Sequence, residues 1–96
     1  MKTKVVHCKR VAYDVYIGRP SFWGNPFAIG KDGDREEVIE KYRVYLWSKI
    51  CSGEITLEQL ASLHGKTLGC FCSPLACHGD VLAKAAKWAK KQLAHS

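Results

Sequence analysis

No stretch of the 96-residue chain approaches the roughly 18 consecutive apolar residues that a membrane span requires. The N-terminus, Met1-Lys2-Thr3-Lys4-Val5-Val6-His7, starts basic but lacks an apolar run of signal-peptide length, so a cytoplasmic protein with no membrane partner is expected. Internal repeats, low-complexity tracts and linker-like segments are also missing. That leaves one domain over residues 1–96, a length that buries a modest core. With 47% hydrophobic and 25% charged residues, the composition is not that of a disordered chain. Nor is there an even set of cysteines. The five present (Cys8, Cys51, Cys70, Cys72 and Cys77) point to reduced thiols, a metal site or a reactive cysteine in place of a disulfide scaffold.

Acidic residues are scarce, nine against fifteen Lys and Arg, for a net charge of +6. That imbalance favours an anionic partner: a nucleotide, another phosphorylated small molecule, or nucleic acid. Lys84, Lys87, Lys90 and Lys91 lie in the last predicted helix. There a solvated face that suits the negative end of the helix dipole is the simpler reading than a nucleic-acid patch.

Residues 3–8 and 14–18 read as short strands, the first carrying the Val5-Val6 pair. Asp34 and Glu37 form a capping pair ahead of a helix whose apolar stripe is Ile39, Tyr42, Leu46 and Ile50, ending near Gly53. Thr56 and Gln59 repeat the pattern for a short helix that turns Leu57, Leu60 and Leu63 inward, with Gly65 beyond its end. Residues 66–72 read as a third, central strand broken by Ser73-Pro74, and the last helix begins near Ala76–His78 and buries Leu82, Ala85, Ala86, Ala89 and Leu93. Strands alternating with helices predict a small α/β fold: an at least partly parallel sheet of three or more strands with about three helices packed on it.

The densest chemistry is Cys70-Phe71-Cys72-Ser73-Pro74-Leu75-Ala76-Cys77-His78-Gly79-Asp80. Cys70 and Cys72 share a strand face, and Cys77 and His78 open the next helix, where free N–H groups attract anions and lower a thiol's pKa. Ligands in open α/β sheets bind at this kind of strand-to-helix junction. Three readings compete. Cys70, Cys72, Cys77 and His78 could hold zinc, but two adjacent ligands seldom reach one ion. Cys72, Cys77 or Asp80 could do covalent or acid–base work beside His78. Buried cysteines could simply pack, which we favour for Cys70 and Cys51.

The segment Arg19-Pro20-Ser21-Phe22-Trp23-Gly24-Asn25-Pro26-Phe27 must be an ordered, aromatic-anchored loop, since two prolines and a glycine forbid a regular element. Arg19 offers a planar fork for phosphate, Trp23 or Phe22 a stacking face, and Asn25 an amide able to read a base edge. Each has a plainer alternative: a surface arginine, a core ring (favoured for Phe27), and a turn-forming Asn. His7, His64 and His95 look incidental, and Trp47 and Trp88 look like helix-face packing.

Together, Tyr16-Ile17-Gly18-Arg19-Pro20-Ser21-Phe22-Trp23-Gly24-Asn25-Pro26-Phe27, Gly65-Lys66-Thr67-Leu68-Gly69-Cys70-Phe71-Cys72 and Cys77-His78-Gly79-Asp80-Val81-Leu82-Ala83 resemble the family catalogued as domain of unknown function 4326, small proteins of bacteria and phages. The resemblance runs from Val15 to Ala83. It implies that Arg19, Trp23, Gly24, Asn25, Pro26, Phe27, Cys70, Cys72, Cys77, His78 and Asp80 match the family pattern, without assigning their roles. Phe71 stands where the family usually has Trp. The junction is also distantly similar to a family numbered 488, but Gly79 replaces its Arg, so no phosphate-binding Arg carries over.

The leading expectation is a nucleotide- or nucleic-acid-related domain. Arg19, Trp23 and Asn25 bind the ligand, and Cys72, Cys77, His78 and Asp80 are available to hydrolyse or transfer at a glycosidic or phosphoester bond. The alternatives are a zinc-stabilised module that binds protein or DNA without chemistry, and a phage-type inhibitor or nucleotide sponge.

Overall fold

The structure is a computed structural model describing residues 3–71 and 75–95. Strands β1 (Lys4–His7), β2 (Val15–Tyr16) and β3 (Thr67–Cys70) form a parallel sheet in the order β1-β3-β2. Leu68 of β3 pairs with Val5 on one side and Val15 on the other. The centre falls to β3 because Leu68, Gly69 and Cys70 are all buried, and a strand covered on both faces tolerates no polar alternation. Parallel neighbours need a crossover, and α1 (Arg35–Ser52) and α2 (Leu57–Ala61) supply it between β2 and β3. Helix α3 (His78–Ala94) follows β3 and packs on α1, α2 and β1. The α/β architecture is the one expected.

Each helix starts where its capping residues require. Asp34 accepts from the Glu37 N–H at 2.9 Å while the Glu37 carboxylate accepts from the Asp34 N–H at 3.1 Å, and Thr56 with Gln59 does the same. Helix α1 ends at Gly53, whose φ of +84° few other residues adopt cheaply.

The buried stripe of α1 is Val38, Tyr42 and Leu46, four apart, where the sequence suggested Ile39 at its head. Ile39 lies one step round the helix, half-buried, beside the cavity described below. Leu60 and Leu63 are buried and Leu57 is half-buried; Leu63 falls just past the end of α2. On α3 the buried set is His78, Gly79, Leu82, Ala85, Ala86 and Ala89, with Leu93 only half-covered. Fully burying each large side chain such as Ile17, Leu46, Leu60, Leu68 or Leu82 contributes about 1.5–3 kcal/mol before entropy is charged.

One close approach fixes the first turn of α3. A Cβ on Gly79 would lie 2.8 Å from Ile17 Cδ1 and 2.9 Å from Val5 Cγ1, so only glycine lets the helix start settle against the sheet. The N-terminus of α3 is thereby seated beside the carboxyl ends of the strands. Among the described residues, no helix is long and apolar enough to cross a membrane.

Candidate functional site

A cavity of about 340 Å³ opens between the loop after β2, the first turn of α1, and the β3–α3 junction. Gly18, Arg19, Asn25, Phe27, Ala28 and Ile29 line it from the loop, Arg35, Val38 and Ile39 from α1, and Cys70, Phe71, Ala76, Cys77 and His78 from the junction. The two segments singled out in the sequence therefore face one space.

Several contacts hold the walls. The Asn25 amide accepts from the Phe27 N–H at 2.9 Å and donates to the Val38 carbonyl at 3.3 Å, which folds the loop on itself and pins it to α1. Both ends of that amide are thus committed to backbone. The Tyr16 hydroxyl donates to the Arg19 carbonyl at 2.9 Å, and the Arg19–Pro20 peptide is cis. Across the cavity, the Arg35 guanidinium donates to the Ala76 carbonyl at 2.9 Å and so joins the start of α1 to the residue before Cys77.

His78 is buried, 7% exposed, with Nε2 2.6 Å from the Ile17 carbonyl oxygen. A carbonyl can only accept, so Nε2 carries the proton and Nδ1 is left as the acceptor. Tyr42 packs its ring on the imidazole in a T shape with centroids 4.9 Å apart. Burial pulls the His78 pKa below its ordinary value and the Arg19 charge adds to this, against the opposing effects of the Ile17 carbonyl and Asp80. The ring is neutral at pH 7.

Cys77 caps α3. Its Sγ accepts from the Gly79 N–H at 3.3 Å and lies 3.3 Å from Cys70 Sγ, with both thiols buried. A helix N-terminus alone would depress a thiol's pKa, as the sequence suggested. Here the hydrogen bond with Cys70 and, after it, burial push the Cys77 thiol up, outweighing the Gly79 N–H. The thiol stays protonated at neutral pH.

Asp80 completes the cap, its Oδ2 accepting from the Cys77 N–H at 3.2 Å, and it borders a separate groove between α1 and α3 instead of the cavity. Cys72, foreseen both as a catalytic residue and as a zinc ligand, lies outside the described residues. Among the described residues, no group of three His, Cys, Asp or Glu is arranged to hold a metal ion.

Of the two roles the sequence left open for Trp23, a stacking face or a core ring, the structure takes the core ring. Trp23 is 8% exposed and belongs to the core, where Tyr42 donates to its carbonyl at 2.8 Å. The exposed Phe22 packs edge-on against it at 4.9 Å. A ring that large gains more from burial than from waiting for a ligand. The aromatic surfaces of the cavity are instead Phe27 and Phe71, the latter 55% exposed. Phe71 is propped edge-to-face by His7 at 5.9 Å and Tyr16 at 6.2 Å. Arg35 is the residue that sequence reasoning missed. A cation at the first position of a helix opposes the dipole, and that mismatch was a signal.

Fold and site together define a small α/β domain with a cationic, aromatic-edged cavity at the carboxyl end of a parallel sheet. The chain belongs to the family described as Domain of unknown function (DUF4326), whose sequence profile matches residues 2–88. It is similar to an uncharacterised 12.4 kDa protein in the nrdA-td intergenic region of Enterobacteria phage T4, 46% identical over 81 residues that span 83% of this chain and 73% of the relative. It is also similar to an uncharacterised protein of Acanthamoeba polyphaga mimivirus, 35% identical over 96 residues, with 81% of this chain and 70% of the relative covered. No solved structure matches the chain.

Proposed function

We propose that the chain binds a nucleotide, or a closely related phosphorylated aromatic compound, in the cavity between the Arg19–Phe27 loop and the Cys70–Asp80 junction. One observation carries the reading: Arg19, Arg35 and His78, from three separate segments, line the same space as Phe27 and Phe71. Its volume falls within the roughly 300–1,000 Å³ of small-molecule sites. Arginine presents parallel N–H donors that match phosphate oxygens, and the first turns of α1 and α3 add the positive ends of two helix dipoles. Phe71 offers a base a ring face, contributing about 1–3 kcal/mol when a base stacks.

Turnover, if the bound molecule is a substrate, falls to His78. Its neutral ring has Nδ1 without a hydrogen-bond partner among the described residues, whereas the Cys77 thiol is protonated and Asp80 is engaged as a cap. Hydrolysis or transfer at a glycosidic or phosphoester bond is the class that one proton acceptor beside bound phosphate suits best. The excess of basic over acidic residues fits the same anionic ligand, and a cytoplasmic location fits a nucleotide pool.

Thermal-shift screening against nucleosides, nucleotides and short oligonucleotides tests the reading. A ligand present at 100 times its Kd adds about 2.7 kcal/mol of stability, an upward shift easily seen in a domain this small. Arg19→Met with Arg35→Met abolishes the shift, and His78→Gln removes any base or phosphate release while keeping the shift. Absence of a shift with every phosphorylated compound defeats the proposal.

A further inference from the structure

We infer that the ligand is a phosphate monoester held without a divalent cation, as in a nucleoside monophosphate, in preference to a magnesium-bound triphosphate. The inference rests on the nucleotide reading of this cavity. Its basis is the absence of acid: of the described residues that line the space, two are arginines, one is a neutral histidine, and none is Asp or Glu.

Four nearby carboxylates each accept a backbone N–H, and Glu36 in the first turn of α1 is exposed and does not line the space. Asp32 Oδ2 accepts from the Ala28 N–H at 2.8 Å, Asp34 and Glu37 cap α1, and Asp80 caps α3. Magnesium is held at nucleotide sites through one or two protein carboxylates together with the substrate phosphates. Drawing one of these groups onto a metal would compete with a helix cap or the Ala28–Asp32 turn for the same carboxylate.

Charge balance points the same way. A phosphate monoester carries close to two negative charges at neutral pH, since its second ionisation lies near pH 6. Arg19 and Arg35 supply two positive charges. A metal-free triphosphate brings about two further negative charges, and the described lining residues offer no third cation to meet them; magnesium would cancel those charges, so against the magnesium complex it is the lack of a lining carboxylate that counts.

Isothermal titration calorimetry decides the matter with the full chain. AMP, GMP, CMP, UMP and dTMP are compared with the matching triphosphates plus magnesium, with the uncharged nucleosides, and with inorganic phosphate. We expect at least one monophosphate to bind about tenfold or more tighter than its magnesium triphosphate, with no change on adding EDTA. Arg19→Met should erase that preference and leave nucleoside affinity where it was. Tighter binding of a magnesium triphosphate, or loss of monophosphate binding in EDTA, overturns the inference while the cavity stands as a nucleotide site. Failure of every phosphorylated probe, or binding untouched by both arginine substitutions, overturns the underlying reading as well.

Discussion

The His78 imidazole donates from Nε2 to the carbonyl oxygen of Ile17 across 2.6 Å, tying the first turn of α3 to the chain just past β2. This bond makes the histidine part of the frame as well as a wall of the cavity. It also gives stability a pH dependence. Burial lowers the His78 pKa in the folded state, whereas the unfolded chain titrates near 6.5. Between those two values the unfolded state binds the extra proton, so stability falls as pH drops through about 6.5 and levels off below the folded pKa. Melting temperatures recorded from pH 8 to 5 should show this decline, and His78→Gln, which keeps a donor for Ile17, should flatten the part of it due to this residue. An unchanged slope in the variant would rule out His78 as its source.

Cys77 is expected to behave as a cap. Serine is a favoured capping residue, so Cys77→Ser should keep the fold within about 1 kcal/mol, whereas Cys77→Ala loses the acceptor and costs about 1 kcal/mol more. Native alkylation with iodoacetamide should label exposed Cys51 quickly and Cys77 only on unfolding, because the thiolate is the reactive form. Equal labelling rates in the folded protein would mean that the thiol is accessible and not held protonated.

Two aromatic residues should separate stability from binding. Trp23→Ala empties a core position and should cost about 3–5 kcal/mol in chemical denaturation. Phe71→Ala removes an exposed ring and should move stability by less than about 1 kcal/mol while weakening nucleotide binding by roughly five- to a hundredfold. A Phe71→Ala protein with full affinity would remove the stacking role.

Gly79 sets how closely α3 meets the sheet. Gly79→Val would drive side-chain atoms into Ile17 and Val5 and should destabilise by about 1–3 kcal/mol, shifting the His78 ring with it. Loss of the low His78 pKa, followed by NMR titration of the imidazole, would register that displacement. A variant as stable as the parent would show that the contact relaxes freely.

The sequence announced most of this fold because its local signals agreed. The capping pairs Asp34/Glu37 and Thr56/Gln59 place two helices, and the apolar run at Leu68–Cys70 places the central strand. The site was legible as two segments, since Arg19 and the Cys77–His78 turn both line the cavity. What stayed open was which of two offered roles a side chain takes. Trp23 went to the core, where its ring fits, and Asn25 took the turn-forming role, its amide committed to Phe27 and Val38. The raised Cys77 pKa depends on Cys70 lying 3.3 Å away, a tertiary distance that no local motif encodes.

The Arg35–Ala76 hydrogen bond closes the cavity by joining positions 41 residues apart along the chain. Neither wall is a self-contained peptide motif, and a fragment ending in α1 would carry both guanidinium groups with nothing opposite them. A bound guest would therefore act as a clasp on the whole molecule, slowing amide exchange in the sheet and in α3 as much as at the mouth where it sits.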